Sequence, residues 1–269
     1  MAEPQSAPKN KETRKRLLSS SVLVIIAFWV IFYAPPFIYC AVVLFYISMG
    51  LNEYTTLLQK KSFPVNRATM IFLGLAAPLA VHTGCDPVFI IAALVLLFSA
   101  NARKEAIQQS FAGAAVGLFG IVWIAWLFSY VVPLRYDVLG GAKWVFYAIS
   151  VVKLGDAGAY FIGNKFGRTP FIPHISPKKT WEGAWAQLAT TVIASCLSRL
   201  YLPAAFHELL ILGIMLGVMS QVGDCLESIV KRNLETKDSG ILPGLGGFLD
   251  VLDSLLFTIP LVYIYLSLP

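Results

Sequence analysis

Asp224, Glu227, Ser228 and Lys231 fall at offsets of 0, 3, 4 and 7, so a helix through this stretch carries all four on one face. A carboxylate at the end of a long apolar run is costly unless it is paired or used, which makes such residues candidates for function. Two readings stay open at this point: a structural ion pair of Asp224 or Glu227 with Lys231, or a working site. The chain then continues through Arg232, Lys237 and Asp238 to a Pro243-Gly244-Leu245-Gly246-Gly247 turn. Asp250 and Asp253 follow, three residues apart at the start of another apolar run. Aspartates there often do no more than cap a helix. Taken with Asp224, however, they form an oxygen-rich set suited to Mg²⁺, which accepts a few carboxylates and leaves positions for water and phosphate oxygens. Cations, a flexible glycine turn and clustered aspartates are what holding a metal-bound polyphosphate requires.

A second constellation lies upstream. Lys153, Asp156 and Asn164 end one apolar stretch, and Ser176-Pro177-Lys178-Lys179-Thr180-Trp181-Glu182-Gly183 opens the next. Pro177 suits a helix start, and Lys178 and Lys179 supply ammonium charges for a phosphate chain. Read alone, the two lysines are ordinary topology-setting charges. Beside Asp156 and the 224–253 cluster, they read better as part of a nucleotide triphosphate site. His82, His174 and His207 take no catalytic part in this reading, and the chain has no P-loop and no Ser-His-Asp order.

The elements that must position these residues are membrane helices. At 57% hydrophobic and 13% charged, with a mean hydropathy of +0.71, the chain is far more apolar than a soluble domain, which is about 45–50% apolar and about 25% charged. Apolar stretches near 17–34, 37–51, 68–82, 87–100, 111–133, 143–163, 184–204, 208–230 and 251–267 predict an all-α polytopic membrane protein of about nine spans. Two of them, 37–51 and 87–100, are short for a full crossing. Lys and Arg collect in alternate loops, which places the N-terminus and both polar segments, 164–183 and 231–250, on the cytoplasmic side. The net charge of +6 is explained by this topology and gives no reason to invoke nucleic acid. Cys40, Cys85, Cys196 and Cys225 stand singly, with neither zinc spacing nor a disulfide framework. The organisation expected is a basic cytoplasmic segment (1–16), a first group of membrane helices (17–142) and a C-terminal membrane region that carries the chemistry (143–269). The run 17–34 is too long for a cleaved signal and is read as an uncleaved first span.

These residues resemble the phosphatidate cytidylyltransferases, or CDP-diacylglycerol synthases. The family signature is Ser-x-x-Lys-Arg, four residues, Lys-Asp, a Pro-x-His-Gly-Gly turn and Asp-Arg-x-Asp. Here it reads Ser228-Ile229-Val230-Lys231-Arg232, Lys237-Asp238, Pro243-Gly244-Leu245-Gly246-Gly247 and Asp250-Val251-Leu252-Asp253. Gly223-Asp224, Asp156-Ala157-Gly158-Ala159-Tyr160 and the 176–183 segment look like the family too, so the resemblance covers roughly 150–255. Leu245 stands in place of the usual His and Val251 in place of the usual Arg, and the stretch from Asp238 to Pro243 is one residue short.

The resemblance implies transfer of a cytidylyl group from CTP to phosphatidate at a bacterial inner membrane. Asp224, Lys237, Asp238, Asp250 and Asp253 then carry the chemistry, with Mg²⁺ on Asp224, Asp250 and Asp253 and room for a second, monovalent cation. Lys178, Lys179, Thr180, Glu182, Ser228, Lys231, Arg232, Gly246 and Gly247 bind substrate. Homodimerisation and contact with membrane lipids are implied by the resemblance alone. A CTP-dependent lipid kinase, a cytidylyltransferase for another lipid phosphate, and a non-catalytic membrane protein or transporter are the alternatives.

Overall fold

The computed structural model describes residues 24–102, 107–236 and 247–267. Within them the chain is a bundle of apolar helices: α1 (24–32), α2 (Pro36–Lys60), α3 (Arg67–His82), α4 (Asp86–Asn101), α5 (Gln109–Tyr136), α6 (Gly141–Phe166), α7 (Trp181–Leu197), α8 (Phe206–Asn233) and α9 (Phe248–Ser267). Five of these, α2, α5, α6, α8 and α9, are long and apolar enough to cross a bilayer, and α3 and α4 are shorter apolar helices. The short run 37–51 is lengthened at its C-terminal side by Asn52 to Lys60, whose polar members continue the same helix. Pro36 opens it, where the missing N–H costs nothing.

One part of the sequence reading is corrected. Ser176-Pro177-Lys178-Lys179-Thr180 does not begin a helix; it is strand β2, paired antiparallel with β1 (Pro170–Ile172). The helix starts only at Trp181, because Thr180 is the residue that can cap it: its backbone is extended and its Oγ1 accepts the Gly183 N–H at 3.2 Å. Pro177 fits the strand because a two-stranded hairpin has edges that need no donor.

The hairpin is pinned at its base and at its tip. Glu182 accepts from Thr169 N and Oγ1 at 3.2 and 3.1 Å, Phe171 packs edge-on against Trp181 with ring centres 4.6 Å apart, and Arg232 Nε donates to the Ile175 carbonyl at 2.8 Å. Backbone N–H groups, its own first and those of Arg168 and Thr169, hold the Glu182 carboxyl below the usual carboxylate range.

α6 packs along α7, α7 along α8, and α8 along α9. Gly213 and Gly217 of α8 face Ser195 and Leu188 of α7, where a larger side chain would not fit. α9 is buried on nearly every side, including Asp253, Ser254 and Thr258. It approaches α8 so closely at Gly223 that a Cβ there would collide with the Asp253 carbonyl oxygen. Gly223 therefore decides how near Asp224 comes to Asp253. Gly223→Ala is expected to destabilise the bundle by about 1–3 kcal/mol, as overpacking of a tight contact does. Thermal unfolding in detergent reads this as a lower midpoint; an unchanged midpoint would show that the helices do not need this approach.

Candidate functional site

Among the described residues the most connected polar group is the carboxylate of Asp156, on α6. Its Oδ1 accepts from Gln187 Nε2 of α7 at 2.9 Å and from Ser220 Oγ of α8 at 3.4 Å. Its Oδ2 accepts from Ser254 Oγ of α9 and from Lys153 Nζ, each at 3.2 Å. Gln187 also reaches Ser220 at 2.9 Å, and Lys153 reaches Ser254 at 2.8 Å. Four helices thus meet on one anion. Hydrogen bonds to a charged group are stronger than neutral ones, and such a network fixes geometry in an apolar setting.

Asp156 forms part of the lining of a cavity of about 460 Å³, a size common for small-molecule sites. Lys178, Lys179 and Thr180 contribute from β2, Asn164 and Tyr160 from α6, and Asp224 from α8. Lys179 Nζ lies 3.5 Å from Asp224 Oδ2. Lys178 is exposed, without a salt bridge to any described residue. Two lysines and a carboxylate, Lys178, Lys179 and Asp224, thus line one cavity.

Other expected residues lie elsewhere. Lys231 pairs with Glu227 and Asp250 at 2.7 and 2.5 Å and has only 6% of its side chain exposed. The ion pair left open in the sequence is therefore Glu227 with Lys231, while Asp224 takes Lys179. Ser228 Oγ donates back to the Asp224 carbonyl at 2.8 Å, and Arg232 holds the hairpin. Glu182 and Thr180 hold the start of α7. Gly247 N–H donates to Asp250 Oδ2 at 2.6 Å. Lys237, Asp238, Gly246 and Leu245 lie outside the described residues.

No group of three or more His, Cys, Asp or Glu stands close enough to hold a metal ion among the described residues. Asp250 is drawn off by Lys231, so the expected trio of Asp224, Asp250 and Asp253 is not gathered in one place. Asp224 adjoins Gly223, where α8 lies against the Asp253 carbonyl, and its carboxylate pairs with Lys179. Mg²⁺ needs only one or two carboxylates when phosphate oxygens and water complete its shell. Such an ion would find two of the expected carboxylates, Asp224 and Asp253, on neighbouring helices.

Sequence reasoning missed Glu53 and the depth of the Asp156 network. Glu53 sits on α2, only 3% exposed, and its Oε2 accepts the N–H groups of Phe248 and Leu249 at 2.7 and 3.3 Å. It caps α9 from 195 residues away, satisfying amides that a helix start leaves without partners, at the end where the dipole favours an anion. A signal was present, since Glu53 is a lone carboxylate following a long apolar run. Its partner was not legible, because backbone amides leave no mark in a sequence.

The chain matches the model of a family described as "Cytidylyltransferase family" over residues 14–268. It is 36% identical over 167 residues to a phosphatidate cytidylyltransferase of Bacillus subtilis, covering 60% of this chain and 62% of that protein's length. It is 30% identical over 287 residues to one of Synechocystis, covering 94% and 96%. An Escherichia coli protein named "Uncharacterized protein YnbB" is also 30% identical, over 86% of this chain and 70% of its own length.

Glu53→Ala is expected to leave the α9 amides unpaired and to cost about 1–3 kcal/mol. Glu53→Gln, which keeps an acceptor oxygen, recovers most of that loss. Paired thermal melts check this; equal midpoints for both variants and wild type would remove Glu53 from the account.

Proposed function

We propose that this protein, which belongs to the cytidylyltransferase family, transfers a cytidylyl group from CTP to phosphatidate, giving CDP-diacylglycerol and pyrophosphate. The observation that carries the reading is the single polar cavity wall shared by Lys178, Lys179 and Asp224, which the family motifs and the names of the relatives complete. Two ammonium groups there balance a triphosphate that otherwise has no neutralising partner at an apolar surface.

In this proposal the triphosphate enters along the hairpin and is held by Lys178 and Lys179. Asp224 orients Lys179; Asp224 and Asp253 would hold a Mg²⁺ ion, which would withdraw charge from the phosphate oxygens. A phosphatidate phosphate oxygen forms the new bond to the α-phosphorus as the bond to the pyrophosphate oxygen breaks. Charge and atoms balance without a protein nucleophile, since positioning and neutralisation do most of the work in such transfers. Lys231 and Asp250 act here by holding the start of α9, and so Asp253, against α8. Lys237 and Asp238, to which the resemblance gives a part in the chemistry, and Gly246, to which it gives one in substrate binding, lie outside the described residues.

The loop charges support the nine-span topology with the N-terminus inside, which puts the hairpin and the 231–250 segment on the cytoplasmic face of a bacterial inner membrane. Homodimerisation is carried by the family resemblance alone.

Asp224→Asn is expected to abolish CDP-diacylglycerol formation while the protein keeps its wild-type melting behaviour. Lys179→Met is expected to lower kcat/KM for CTP by about a hundredfold or more, the usual loss on removing one preorganised donor. Radioactive product lipid, resolved by thin-layer chromatography, reads both; undiminished turnover in either variant overturns the assignment of this wall.

A further inference from the structure

Groups of opposite hydrogen-bonding character line the polar cavity. Lys178 and Lys179 of β2 can only donate, whereas Gln187 of α7 and Gln221 of α8 carry both a donor and an acceptor. Contacts along α8 set their order. Arg232 meets the hairpin tip, Asp224 meets Lys179, and Gln221 meets the Ala184 carbonyl in the first turn of α7. Gln221 thus lies about one helical turn beyond the level of Lys179, on the side away from the hairpin tip.

A carboxamide can turn either end to a ligand unless its partners decide which. Here they do. Gln187 Nε2 donates to Asp156 Oδ1 and to Ser220 Oγ, each at 2.9 Å, and a carboxylate oxygen accepts only, so the NH₂ end must face Asp156. Gln221 Nε2 donates to the Ala184 carbonyl at 2.9 Å, another partner that only accepts. The two Oε1 atoms are left over. Neither takes a hydrogen bond from a described residue, and neither is among the polar atoms sealed in the interior without a partner. Since both side chains line the cavity, their oxygens open onto it as two acceptors that cannot reverse.

We propose that Gln187 and Gln221 are specificity-determining residues for the nucleobase: their Oε1 atoms accept from an exocyclic amino group and reject a base that carries a keto oxygen at the same position. The phosphates, rich in acceptors, are repelled by these oxygens and stay with the lysines, which leaves the other end of the nucleotide to face the glutamines. The amino nitrogen of cytosine offers two N–H donors, where uracil presents an oxygen. With uracil, acceptor meets acceptor and both glutamine oxygens lose their partner. A freely rotating amide would turn over to suit either base. These two cannot, because reversal sets an oxygen against the Asp156 carboxylate in one case and against the Ala184 carbonyl in the other, so the site penalises the wrong base as well as favouring the right one. This rests on the proposed function, which supplies the nucleotide.

Nucleotide binding without turnover tests it. Purified wild-type protein in detergent, with Mg²⁺ and no lipid, is titrated calorimetrically with CTP and with UTP. CTP is expected to bind about a hundredfold more tightly or better, the scale on which a site built to hydrogen-bond one group rejects its replacement. Gln221→Met keeps the length of the side chain and removes the acceptor. Its affinity for CTP is expected to fall about tenfold while its affinity for UTP does not fall, so the preference shrinks. A merely structural role for Gln221 would weaken both nucleotides together and leave their ratio alone. Equal binding of CTP and UTP by the wild-type protein, or an unchanged ratio in Gln221→Met, overturns this assignment and leaves the functional reading standing. Binding of neither nucleotide by folded protein overturns both.

Discussion

The arrangement depends on one half-buried constraint: a single carboxylate, Asp156, accepts from side chains of α6, α7, α8 and α9. In an apolar bundle each of those polar groups has few alternative partners, and a buried polar group left unpaired is costly. Gln187, Ser220, Ser254 and Lys153 therefore bring their helices to a common point, and the polar cavity forms beside it. Helix packing alone would leave rotation and sliding about each axis weakly specified. The hydrogen-bond set removes that freedom beside the cavity that Asp224 lines.

The start of α9 is fixed by a second set of anions. Glu53 takes two amides of the first turn, and Asp250 takes the Gly247 amide while pairing with Lys231. Lys231 is in turn braced by Glu227. Several residues of the recognisable signature are thus occupied with each other, holding a helix, while the cavity wall is left to the hairpin lysines and Asp224. Breaking a buried ion pair leaves an uncompensated charge, which costs more than the pair contributes when intact. Residues in such a chain can be as intolerant of change as those that touch substrate. Sequence pattern does not separate the two roles; partners do.

Much of the architecture was legible. Apolar run length located the helices, and the 3.6-residue period put Glu227 and Lys231 on one face. The hairpin was not legible, because Ser176 to Thr180 has the composition of a helix start and its pairing partner, Pro170 to Ile172, is too short to show alternation. The partners of the two aspartates were not legible for a related reason. Asp250 and Asp253 share a helical face in projection, yet one side chain turns back to the N-terminal amides and the other is buried against α8. Spacing gives the angle around a helix, not which neighbour a side chain meets. Glu53 and Gln187 went unnoticed because their partners lie far along the chain.

The central claim is that the Lys178, Lys179 and Asp224 wall presents the α-phosphorus of CTP to a lipid phosphate. The most direct measurement gives purified protein CTP labelled at either the α- or the γ-phosphorus, with phosphatidate and Mg²⁺. The account predicts that α-label alone enters the lipid, with one pyrophosphate released per lipid formed. Transfer of γ-label with release of CDP would make the protein a lipid kinase and contradict it, as would the absence of any labelled lipid from folded protein.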